Sequence, residues 1–388
     1  MKILYVIPTM GCGGAEILLG AIARNLVKKG HEVHLVCLEP HHETWPNYPD
    51  KEAMLAEVPV TIIGGSVRFR FLRKPQVDTG AFVNYVNDFK PDIIHSHLYL
   101  SELVSRSVVF SHIKYFSHGH DNMPQLRGLH FNTLWSKPLL ANYWERTWLI
   151  KQYKACNNHF IAISNDVKAY LESELPAFRN SVIYHPNAID IKRFYFARTF
   201  EPVQGVFHMV SIANLVEKKN HILLIDVMDV LIRKGYRVSM EVLGAGPLME
   251  MLQQKTREKG LENHLFFRGS VGDVPERLKN AHLYVHPAWY EPFGLVLLEA
   301  MASALPVVSL DGFGNRELMK ENQNGFMLPT KASAEEFAAK IAYFIDHPEE
   351  RQRMGLFAQE FSKHFDIDHY TDGLIEIYQN NSKATTTH

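Results

Sequence analysis

Two glutamates with a short apolar stretch between them are the residues of this chain best placed to do chemistry. Gly294 favours a loop at the start of a helix, and apolar residues recur at helical spacing from there to Met301. Glu291 is therefore predicted to precede the helix, and Glu299 to lie about two turns inside it. Carboxylates placed in this way can accept hydrogen bonds from the hydroxyl groups of a sugar or a ribose.

The backbone at the predicted helix start suits an anion. The N–H groups of Phe293, Gly294 and Leu295 have no acceptor within the helix, and the helix dipole favours negative charge there. A diphosphate bound to them would lie between the two carboxylates, so the pattern predicts a sugar-nucleotide site. The alternative is an acidic residue that complements the dipole and a second one on a solvated face.

Three further loops that follow predicted strands could contribute to such a site. Gly13 and Gly14 open the first helix, where they could let a phosphate approach the backbone or simply form a tight turn. Lys219 precedes a helix of the second half, where it could neutralise a departing diphosphate or remain a solvated lysine. Gly244 and Gly246 end the next strand and could admit a nucleotide or cap the strand.

The elements that must position these residues are those of an α/β protein. Short apolar runs alternate with amphipathic segments, which predicts parallel sheets covered by helices on both faces. We expect two doubly wound, Rossmann-like domains facing across a substrate cleft, because open parallel sheets bind ligands at the carboxyl ends of their strands. The predicted domains are residues 1–195, with a last helix in 366–388 packing back on them, and residues 196–365. The predicted strands are Ile3 to Ile7, Glu32 to Cys37, Asp92 to His95, Lys114 to Ser117, His159 to Ile163, Ser181 to Tyr184, Phe207 to Ile212, Arg237 to Leu243, Leu265 to Phe267, Leu283 to His286 and Val307 to Leu310, and the predicted helices include Ala15 to Lys29, His221 to Lys234, Pro247 to Lys259 and Tyr370 to Gln379.

The composition limits the partners and the compartment. The 388 residues suffice for two domains, and 41 Lys and Arg nearly balance 42 Asp and Glu, so no overall field favours nucleic acid as a partner. Cys12, Cys37 and Cys156 have no metal-ligand spacing and fit a reducing cytoplasm. The apolar run at the amino terminus is too short for a signal peptide or a membrane span and is predicted to be a buried strand.

Taken together, these residues resemble the family-four retaining glycosyltransferases of the GT-B fold. The resemblance covers nearly the whole chain and is strongest from about Val210 to Gly325. The segments that carry it are Gly13-Gly14-Ala15-Glu16, residues 161–164 and 185–190, Phe194, Lys219 in a loop similar to G-R-L-x-x-x-K-G-H, residues 274–287, and the pair Glu291 and Glu299.

The resemblance implies a role for each matching residue. Lys219 is expected to bind the diphosphate of a nucleotide-sugar donor, Glu291 to lie near the transferred sugar, and Glu299 to bind the ribose hydroxyl groups. The first domain is then the acceptor-binding domain and the second the donor-binding domain. The implied reaction moves a hexose or N-acetylhexosamine from a nucleoside-diphosphate sugar, with a UDP-sugar favoured, and retains the anomeric configuration.

Histidines end two neighbouring predicted strands, at His95 and His97 and again at His118 and His120. Similar enzymes have a histidine followed by Asp or Asn at the second strand end, where it touches the transferred sugar. His120 fits that pattern better than His118. For His95 and His97 we expect the role of hydrogen-bonded structural histidines.

The charge developed in the implied reaction can be stabilised without a metal. The departing nucleoside diphosphate needs electrostatic stabilisation, which Lys219 and the N–H groups of residues 293–295 can supply. No DxD metal signature follows a predicted strand, so we expect no metal and no other cofactor. Retention requires either a carboxylate nucleophile or front-face attack by the acceptor. The sequence leaves both open, and we favour Glu291 as an electrostatic and hydrogen-bonding residue.

Three residues depart from the family pattern. Asn214 stands where an arginine usually helps to hold the diphosphate, and Lys218 could compensate. Ala188 and Ala304 replace glycines, and both changes are conservative in volume and remove no charge. We expect activity to be retained.

The acceptor is the least determined partner. Residues 66–75 carry four cations among aromatic residues and no acid, and residues 134–150 are rich in Trp. These segments could contact an anionic inner-leaflet surface or a lipid diphosphate, or they could be a solvated loop and a helix packed on the sheet. The first alternative predicts a cytoplasmic protein peripheral to the inner face of the membrane, with a lipid-linked or membrane-embedded glycan acceptor.

Other functions of a two-domain nucleotide site stay open. A sugar-nucleotide epimerase would need acid and base groups beside a water site, and a glycan phosphorylase would need a pyridoxal lysine, and neither is visible at a matching position. A catalytically weak partner subunit that only binds the sugar nucleotide would be expected to lack Glu291, Lys219 or the loop glycines. All are present, and Asn214 is the one hint in that direction.

Overall fold

The computed structural model describes residues 1–42, 45, 48, 51–69, 75–128, 137–198, 203 and 205–380. The chain divides into a first unit, Met1–Pro186 with Tyr370–His388, and a second unit, Asn187–His369. The predicted boundaries near 195 and 366 both lie within the second unit. The residues just before 195 belong to the second unit because Phe194 is buried there. The carbonyl of Phe194 accepts a hydrogen bond from the hydroxyl of Ser303 (3.1 Å).

The first unit contains a parallel sheet, a small antiparallel hairpin and helices between the strands. The strands are β1 (Lys2–Ile7), β2 (Glu32–Cys37), β3 (Val60–Ile62), β4 (Ser66–Arg68), β5 (Gln76–Asp78), β6 (Ile93–His97), β7 (Lys114–Gly119), β8 (His159–Ala162) and β9 (Val182–Tyr184), and the helices are α1 (Gly14–Lys28), α2 (Lys51–Glu57), α3 (Gly80–Phe89), α4 (Tyr99–Ser105), α5 (Lys137–Ala155) and α6 (Asn165–Glu174). The seven-stranded sheet has the order β3-β2-β1-β6-β7-β8-β9, and β4 pairs with β5 in the hairpin.

Strand β1 shows why this sheet forms. Its residues from Ile3 to Ile7 are fully buried, and they pair in parallel with β2 on one side and β6 on the other. An apolar strand in the middle of a parallel sheet is covered on both faces, so alternation is not required. The candidate site residues that the sequence analysis identified in the first unit lie at or just after the carboxyl ends of β1, β6 and β7.

The second unit contains a six-stranded parallel sheet. Its strands are β10 (Phe207–Ile212), β11 (Val238–Leu243), β12 (Leu265–Gly269), β13 (Leu283–His286), β14 (Val307–Leu310) and β15 (Gly325–Leu328), and its helices are α7 (His221–Arg233), α8 (Met249–Glu258), α9 (Val274–Asn280), α10 (Leu295–Ala302), α11 (Ala334–Asp346) and α12 (Pro348–Ser362). The strand order is β12-β11-β10-β13-β14-β15. The order reverses between β10 and β13, and ligands of open parallel sheets bind at such a switch point.

The core of the second unit follows from helical spacing. Leu224 and Met228 lie one turn apart on α7, and Phe337 and Ile341 lie one turn apart on α11. All four side chains are fully buried in one cluster with the sheet. Apolar residues repeated at this spacing form the buried stripe of each helix and hold it against the strands.

Helix α13 (Ile367–Asn380) ends the described chain and packs on the first unit. The hydroxyl of Tyr378 lies 3.0 Å from the hydroxyl of Tyr5 and 2.6 Å from Nδ1 of His95, and all three residues are buried. The carboxyl-terminal helix is therefore part of the core of the first unit.

Most of the predicted elements are present. The predicted bounds of β2, β10, β13 and β14 match the structure, and the α/β prediction with parallel sheets in two domains is confirmed. Strand β3, the β4–β5 hairpin and β15 were not predicted.

Two of the segments linked to the acceptor are only partly described. Residues 70–74 of the basic segment and residues 134–136 of the Trp-rich segment lie outside the described part of the chain. Within that part, no helix combines the length and the apolar character needed to cross a membrane.

Candidate functional site

Glu291 lies at the carboxyl edge of the second sheet, in the loop after β13. Its N–H donates to the carbonyl of Gly312 (2.9 Å) in the loop after β14, and Glu291 forms a β-bridge with Phe313. Gly314 in the same loop has no space for a side chain, because a Cβ atom there would collide with the carbonyl of Pro292. Two loops from neighbouring strands therefore fix the backbone of Glu291.

Lys219 and His286 both reach the carboxylate of Glu291. Nζ of Lys219 lies 2.6 Å from Oε2 of Glu291, and Nε2 of His286 lies 2.9 Å from the same oxygen. A 3-10 helix over Glu217–Lys219, followed by Asn220 in the left-handed region, turns Lys219 toward the glutamate. His286 is the last residue of β13 and is fully buried. We call Lys219, His286 and Glu291 the charged cluster.

The charged cluster lowers the pKa of Glu291. Burial alone would raise this pKa, but the ammonium of Lys219 and the hydrogen bond from His286 outweigh burial and hold it well below the usual range. Burial also lowers the pKa of His286, although the carboxylate opposes this shift. At neutral pH a neutral His286 therefore faces a carboxylate, so it must donate its Nε2–H to Glu291.

Helix α10 begins at Leu295, directly after Gly294. Gly294 has a φ of 105°, which residues with a side chain rarely adopt, and this turn separates Glu291 from the helix. No acceptor among the described residues takes up the N–H groups of Phe293, Gly294 or Leu295. These groups are therefore available to an anion.

Glu299 lies within α10 and is partly buried. Burial raises its pKa to about 7, and the guanidinium of Arg193 opposes that shift. A carboxyl group with this pKa changes its charge near neutral pH, so its capacity to accept hydrogen bonds depends on pH.

Asn214 and Lys218 lie in the loop after β10. Asn214 is exposed. Nζ of Lys218 lies 5.2 Å from the centre of the Tyr290 ring, which is a cation–π distance. Compensation by Lys218 for the missing arginine would therefore have to compete with its contact to Tyr290.

Gly244 and Gly246 pack against the loop after β10. A Cβ atom on Gly244 would collide with the backbone of Ala213, and one on Gly246 would collide with the backbone of Leu215. Close packing of two loops is thus a sufficient reason for both glycines.

Gly13 and Gly14 lie in the first unit, at the start of α1. Gly13 precedes the helix and Gly14 is its first residue. A Cβ atom on Gly13 would meet the carboxylate of Glu16, whose pKa is raised by burial. An anion at this helix start would therefore encounter a resident acidic group, which already complements the dipole.

His120 also lies in the first unit, beyond the end of β7. Its Nε2 lies 2.7 Å from Nδ1 of His97, and its ring stacks on that of His118 with 4.3 Å between the ring centres. We call His95, His97, His118 and His120 the histidine stack. Burial lowers the pKa of His120 to about 4, and it lowers the pKa of His95 and of His97 well below the usual range. These three rings are therefore neutral at neutral pH.

The prediction for His95 and His97 is only half right. Nδ1 of His95 is hydrogen-bonded to Tyr378, and Nδ1 of His97 is bonded to His120. Nε2 of each ring is buried and has no hydrogen-bond partner among the described residues. Stacking on neighbouring rings, which the sequence did not reveal, holds these side chains in place.

Part of the histidine stack has the composition of a metal site. Among the described residues, one group of three possible metal ligands has its donor atoms within 4.8 Å of one another, and it consists of His95, His97 and His118. The ring of His118 is inclined by 17° to that of His95 and by 25° to that of His97. Because imidazole coordinates in the plane of its ring, stacked rings direct their nitrogen atoms along similar lines and not toward one ion.

His286 and Arg193 are the residues of the second-unit site that sequence reasoning missed. His286 had a signal, because it is a polar residue at the end of a buried strand, just before the glutamate motif. Arg193 lies far from Glu299 in the sequence and had none.

Comparisons with known proteins agree with this architecture. The family model described as Glycosyltransferase Family 4 matches residues 12–193, and the model described as Glycosyl transferases group 1 matches residues 198–361. Together the two models span both units of the chain.

Two curated relatives illustrate the range of similarity. A poly(ribitol-phosphate) alpha-N-acetylglucosaminyltransferase of Staphylococcus aureus is 27% identical over 150 residues, which are 38% of this chain and 30% of that protein. The chain thus matches less than a third of that relative. An uncharacterized glycosyltransferase of Methanocaldococcus jannaschii is 25% identical over 377 residues, covering 85% of this chain and 86% of that protein.

A solved structure confirms the fold. Anabaena HepE in complex with UDP and glucose is 20% identical, with a TM-score of 0.78 over 98% of this chain and 99% of that one. The prediction of two Rossmann-like domains of the GT-B type is confirmed by this likeness. By its two successive family matches and its fold, the chain belongs to the family-4 type of glycosyltransferases.

Proposed function

We propose that this protein is a retaining glycosyltransferase that moves a hexose or N-acetylhexosamine from a UDP-sugar to a glycan or lipid-linked acceptor, in polysaccharide or glycolipid biosynthesis. The observation that carries the proposal is the charged cluster beside the unpartnered N–H groups of residues 293–295. A cation, a buried carboxylate and backbone donors at the switch point of a parallel sheet suit a sugar diphosphate.

Each group takes a separate part in this proposal. Lys219 and the N–H groups of residues 293–295 stabilise the departing diphosphate, and the reaction then needs no divalent metal. Glu291 accepts hydrogen bonds from the transferred sugar, and Glu299 from the ribose. From the resemblance, we assign His120, a neutral hydrogen-bonding group of the first unit, to recognition of the transferred sugar. Gly244 and Gly246 shape the nucleotide side, with Asn214 at its edge.

The stereochemistry is part of the proposal. Glu291 already accepts two hydrogen bonds on one oxygen and has a lowered pKa, which makes it a poor nucleophile. We therefore favour front-face attack by the acceptor within an ion pair. NMR of the product made from an α-linked UDP-sugar should show an α-linkage, and a β-linked product would contradict retention.

The nature of the donor is supported by similar proteins. The HepE structure holds UDP and glucose, and the Staphylococcus aureus relative is named as an N-acetylglucosaminyltransferase. Both names fit a hexose or N-acetylhexosamine carried by UDP.

We assign acceptor binding to the first unit, with Gly13 and Gly14 near the acceptor. Phe69, at the start of the basic segment, packs edge-on against Trp148 of α5 with 5.6 Å between ring centres, and Trp144 of the same helix is 45% exposed. This contact joins the basic and the Trp-rich segments and supports a peripheral position on the inner face of the membrane. Sedimentation with anionic and neutral vesicles tests it, and equal sedimentation with both would contradict it.

The test of the proposed function is a thermal-shift panel of UDP, GDP and ADP with their hexose and N-acetylhexosamine conjugates, with and without EDTA. We expect stabilisation by UDP and a UDP-sugar that persists in EDTA, since a ligand that binds only the folded state raises its stability. Stabilisation that needs a divalent metal would overturn the metal-free assignment. No shift with any compound would mean that the chain alone has no formed donor site, and it would contradict the proposal.

The division of roles has its own test. We expect Glu299→Ala mainly to weaken nucleotide binding and Lys219→Ala mainly to slow transfer. Equal effects of both variants on both parameters would contradict this division.

A further inference from the structure

The two groups that hold Glu291 differ in how firmly they are held themselves. Lys219 reaches Oε2 of Glu291 from a loop, through a flexible side chain that is 15% exposed. His286 reaches the same oxygen from the end of a sheet strand, and its side chain is fully buried. Only one of the two contacts is therefore fixed by the sheet.

The ring of His286 is oriented from both sides. Its Nε2–H donates to Glu291, so its Nδ1 is an acceptor, and that atom faces the hydroxyl of Tyr284 at 3.4 Å. The same hydroxyl donates its one proton to the carbonyl of Ile212 in β10 (3.2 Å), so it contacts Nδ1 without donating to it. Burial raises the pKa of Tyr284 well above its usual value, so the hydroxyl keeps its proton. The carboxylate of Glu291 therefore sets the tautomer of His286, and the stacked ring and hydroxyl of the buried tyrosine restrict the orientation of the imidazole from the other side.

Donor binding changes the balance between the two contacts. A diphosphate carries more charge than a carboxylate, so it attracts the ammonium of Lys219 away from Glu291. A buried carboxylate left without a partner is costly and is free to turn. Both observed contacts fall on Oε2, which leaves Oε1 for a sugar hydroxyl as long as one contact remains.

We propose that His286 is a positioning residue that holds Oε2 of Glu291 when the diphosphate of the donor engages Lys219, so that Oε1 remains in place for the sugar. This inference rests on the proposed function. It adds a residue that does not touch the substrate and acts only through Glu291. It also explains why a polar side chain ends a strand whose other residues, Leu283, Tyr284 and Val285, are fully buried.

The test compares two amides that differ by one methylene group. The amide of His286→Gln reaches the position of Nε2 and can donate to Glu291, whereas the amide of His286→Asn reaches only that of Nδ1. Calorimetric titration with UDP, UDP-glucose and UDP-N-acetylglucosamine gives the affinities of each protein. We expect His286→Asn to bind UDP within about twofold of the wild type and the UDP-sugar roughly tenfold more weakly, since it loses a charge-assisted hydrogen bond.

His286→Gln should restore most of the UDP-sugar affinity and of the transfer rate. His264→Asn, at a partly buried histidine whose Nδ1 lies 3.2 Å from the carbonyl of Val238, is the control and should leave both affinities unchanged. Equal losses for UDP and the UDP-sugar in His286→Asn, or no difference between the Gln and Asn variants, would overturn the inference.

Failure of the proposed function would look different. In that case the wild type would bind neither UDP nor a UDP-sugar, before any variant is compared. If His286→Asn does not fold, Tyr284→Phe supplies the second measurement, because it removes the hydroxyl that contacts Nδ1 and leaves that side of the imidazole ring less restricted. We expect a smaller loss of UDP-sugar affinity, about threefold, with UDP affinity unchanged, and an unchanged UDP-sugar affinity would contradict the inference.

Discussion

The charged cluster of the second unit and the histidine stack of the first unit bury titratable groups in opposite ways. In the charged cluster an ammonium and an imidazole N–H compensate a carboxylate, and the pKa of Glu291 falls. In the histidine stack burial suppresses charge, and the pKa of His95, His97 and His120 falls so far that the rings stay neutral.

The difference separates two kinds of site. Paired charges can be exchanged for the charges of a ligand, so the charged cluster suits a sugar diphosphate. Neutral imidazoles offer hydrogen bonds without net charge, so His120, the member of the histidine stack that is only partly buried, suits a hydroxyl group of a sugar. The comparison thus supports diphosphate chemistry in the second unit and neutral recognition in the first.

The largest expected effect comes from a variant that breaks the charged cluster. Lys219→Ala leaves the carboxylate of Glu291 buried without its cation, and we expect the second unit to lose about 3 kcal/mol of stability or more. Adding Glu291→Gln should recover most of this loss, because it removes the orphaned charge. Differential scanning calorimetry of both variants measures the changes.

Lys259→Ala is the matched control for that experiment. Nζ of Lys259 lies 2.7 Å from Asp226 and 3.2 Å from Asp229. The side chains of Lys259 and Asp226 are 35% and 45% exposed, and Asp229 keeps Arg233 as a partner, so the loss should be less than about 1 kcal/mol. A loss in Lys219→Ala as small as that of the control would show that burial does not distinguish the charged cluster.

The second prediction tests the neutrality of the histidine stack. A histidine whose pKa is lowered by folding stabilises the fold only above its unfolded pKa of 6.5, and this stability is lost as the pH falls. Replacing His95 by Gln removes one such group. Between about pH 6 and pH 5, the unfolding free energy of His95→Gln should therefore depend less steeply on pH than that of the wild type. We expect the slope to be smaller by about 1.4 kcal/mol per pH unit.

Urea unfolding of the first unit, monitored by hydrogen exchange at several pH values in this range, measures the slope. His112→Gln, at an exposed histidine, should leave the slope unchanged. An unchanged slope in His95→Gln would mean that His95 takes up a proton in the folded state, and the contrast between the two regions would fail.

The smallest effect concerns Glu299, beside the charged cluster. Because its pKa is about 7, raising the pH from about 6.5 to 8 increases its ionisation and should strengthen the hydrogen bonds that we propose it accepts from ribose. We expect the affinity for UDP to rise by about threefold in the wild type over this range. Calorimetric titration should show a smaller rise in Glu299→Gln, and the same rise in both proteins would remove Glu299 from nucleotide binding.

The fold could be predicted well because local pattern determines it. Strands β2, β10, β13 and β14 are rich in apolar and β-branched residues, and their bounds were predicted correctly. Strand β6 was predicted to end at His95, but it extends to His97. Its last residues are polar but buried. Periodicity treats such residues as loop, since only the neighbouring strands show what covers them.

The site was predicted as residues but not as contacts. Lys219 and Glu291 were assigned to different parts of a donor, whereas the structure pairs them with each other. Arg193 acts on Glu299 from a distant part of the sequence, which spacing cannot reveal, whereas His286 lies only five residues before Glu291. Ala304 was considered conservative by volume, but its φ of 56° shows that the glycine it replaces has a conformational role.

Calorimetric titration of UDP in EDTA, on the wild type and on Glu299→Ala with Lys259→Ala as the surface control, tests the central claim most directly. We expect binding to the wild type and to the control, and binding weakened about tenfold or more in Glu299→Ala, because a buried hydrogen bond to a charged group is lost. Absence of UDP binding to the wild type in EDTA, or equal binding to all three proteins, would contradict a metal-independent nucleotide site in the second unit.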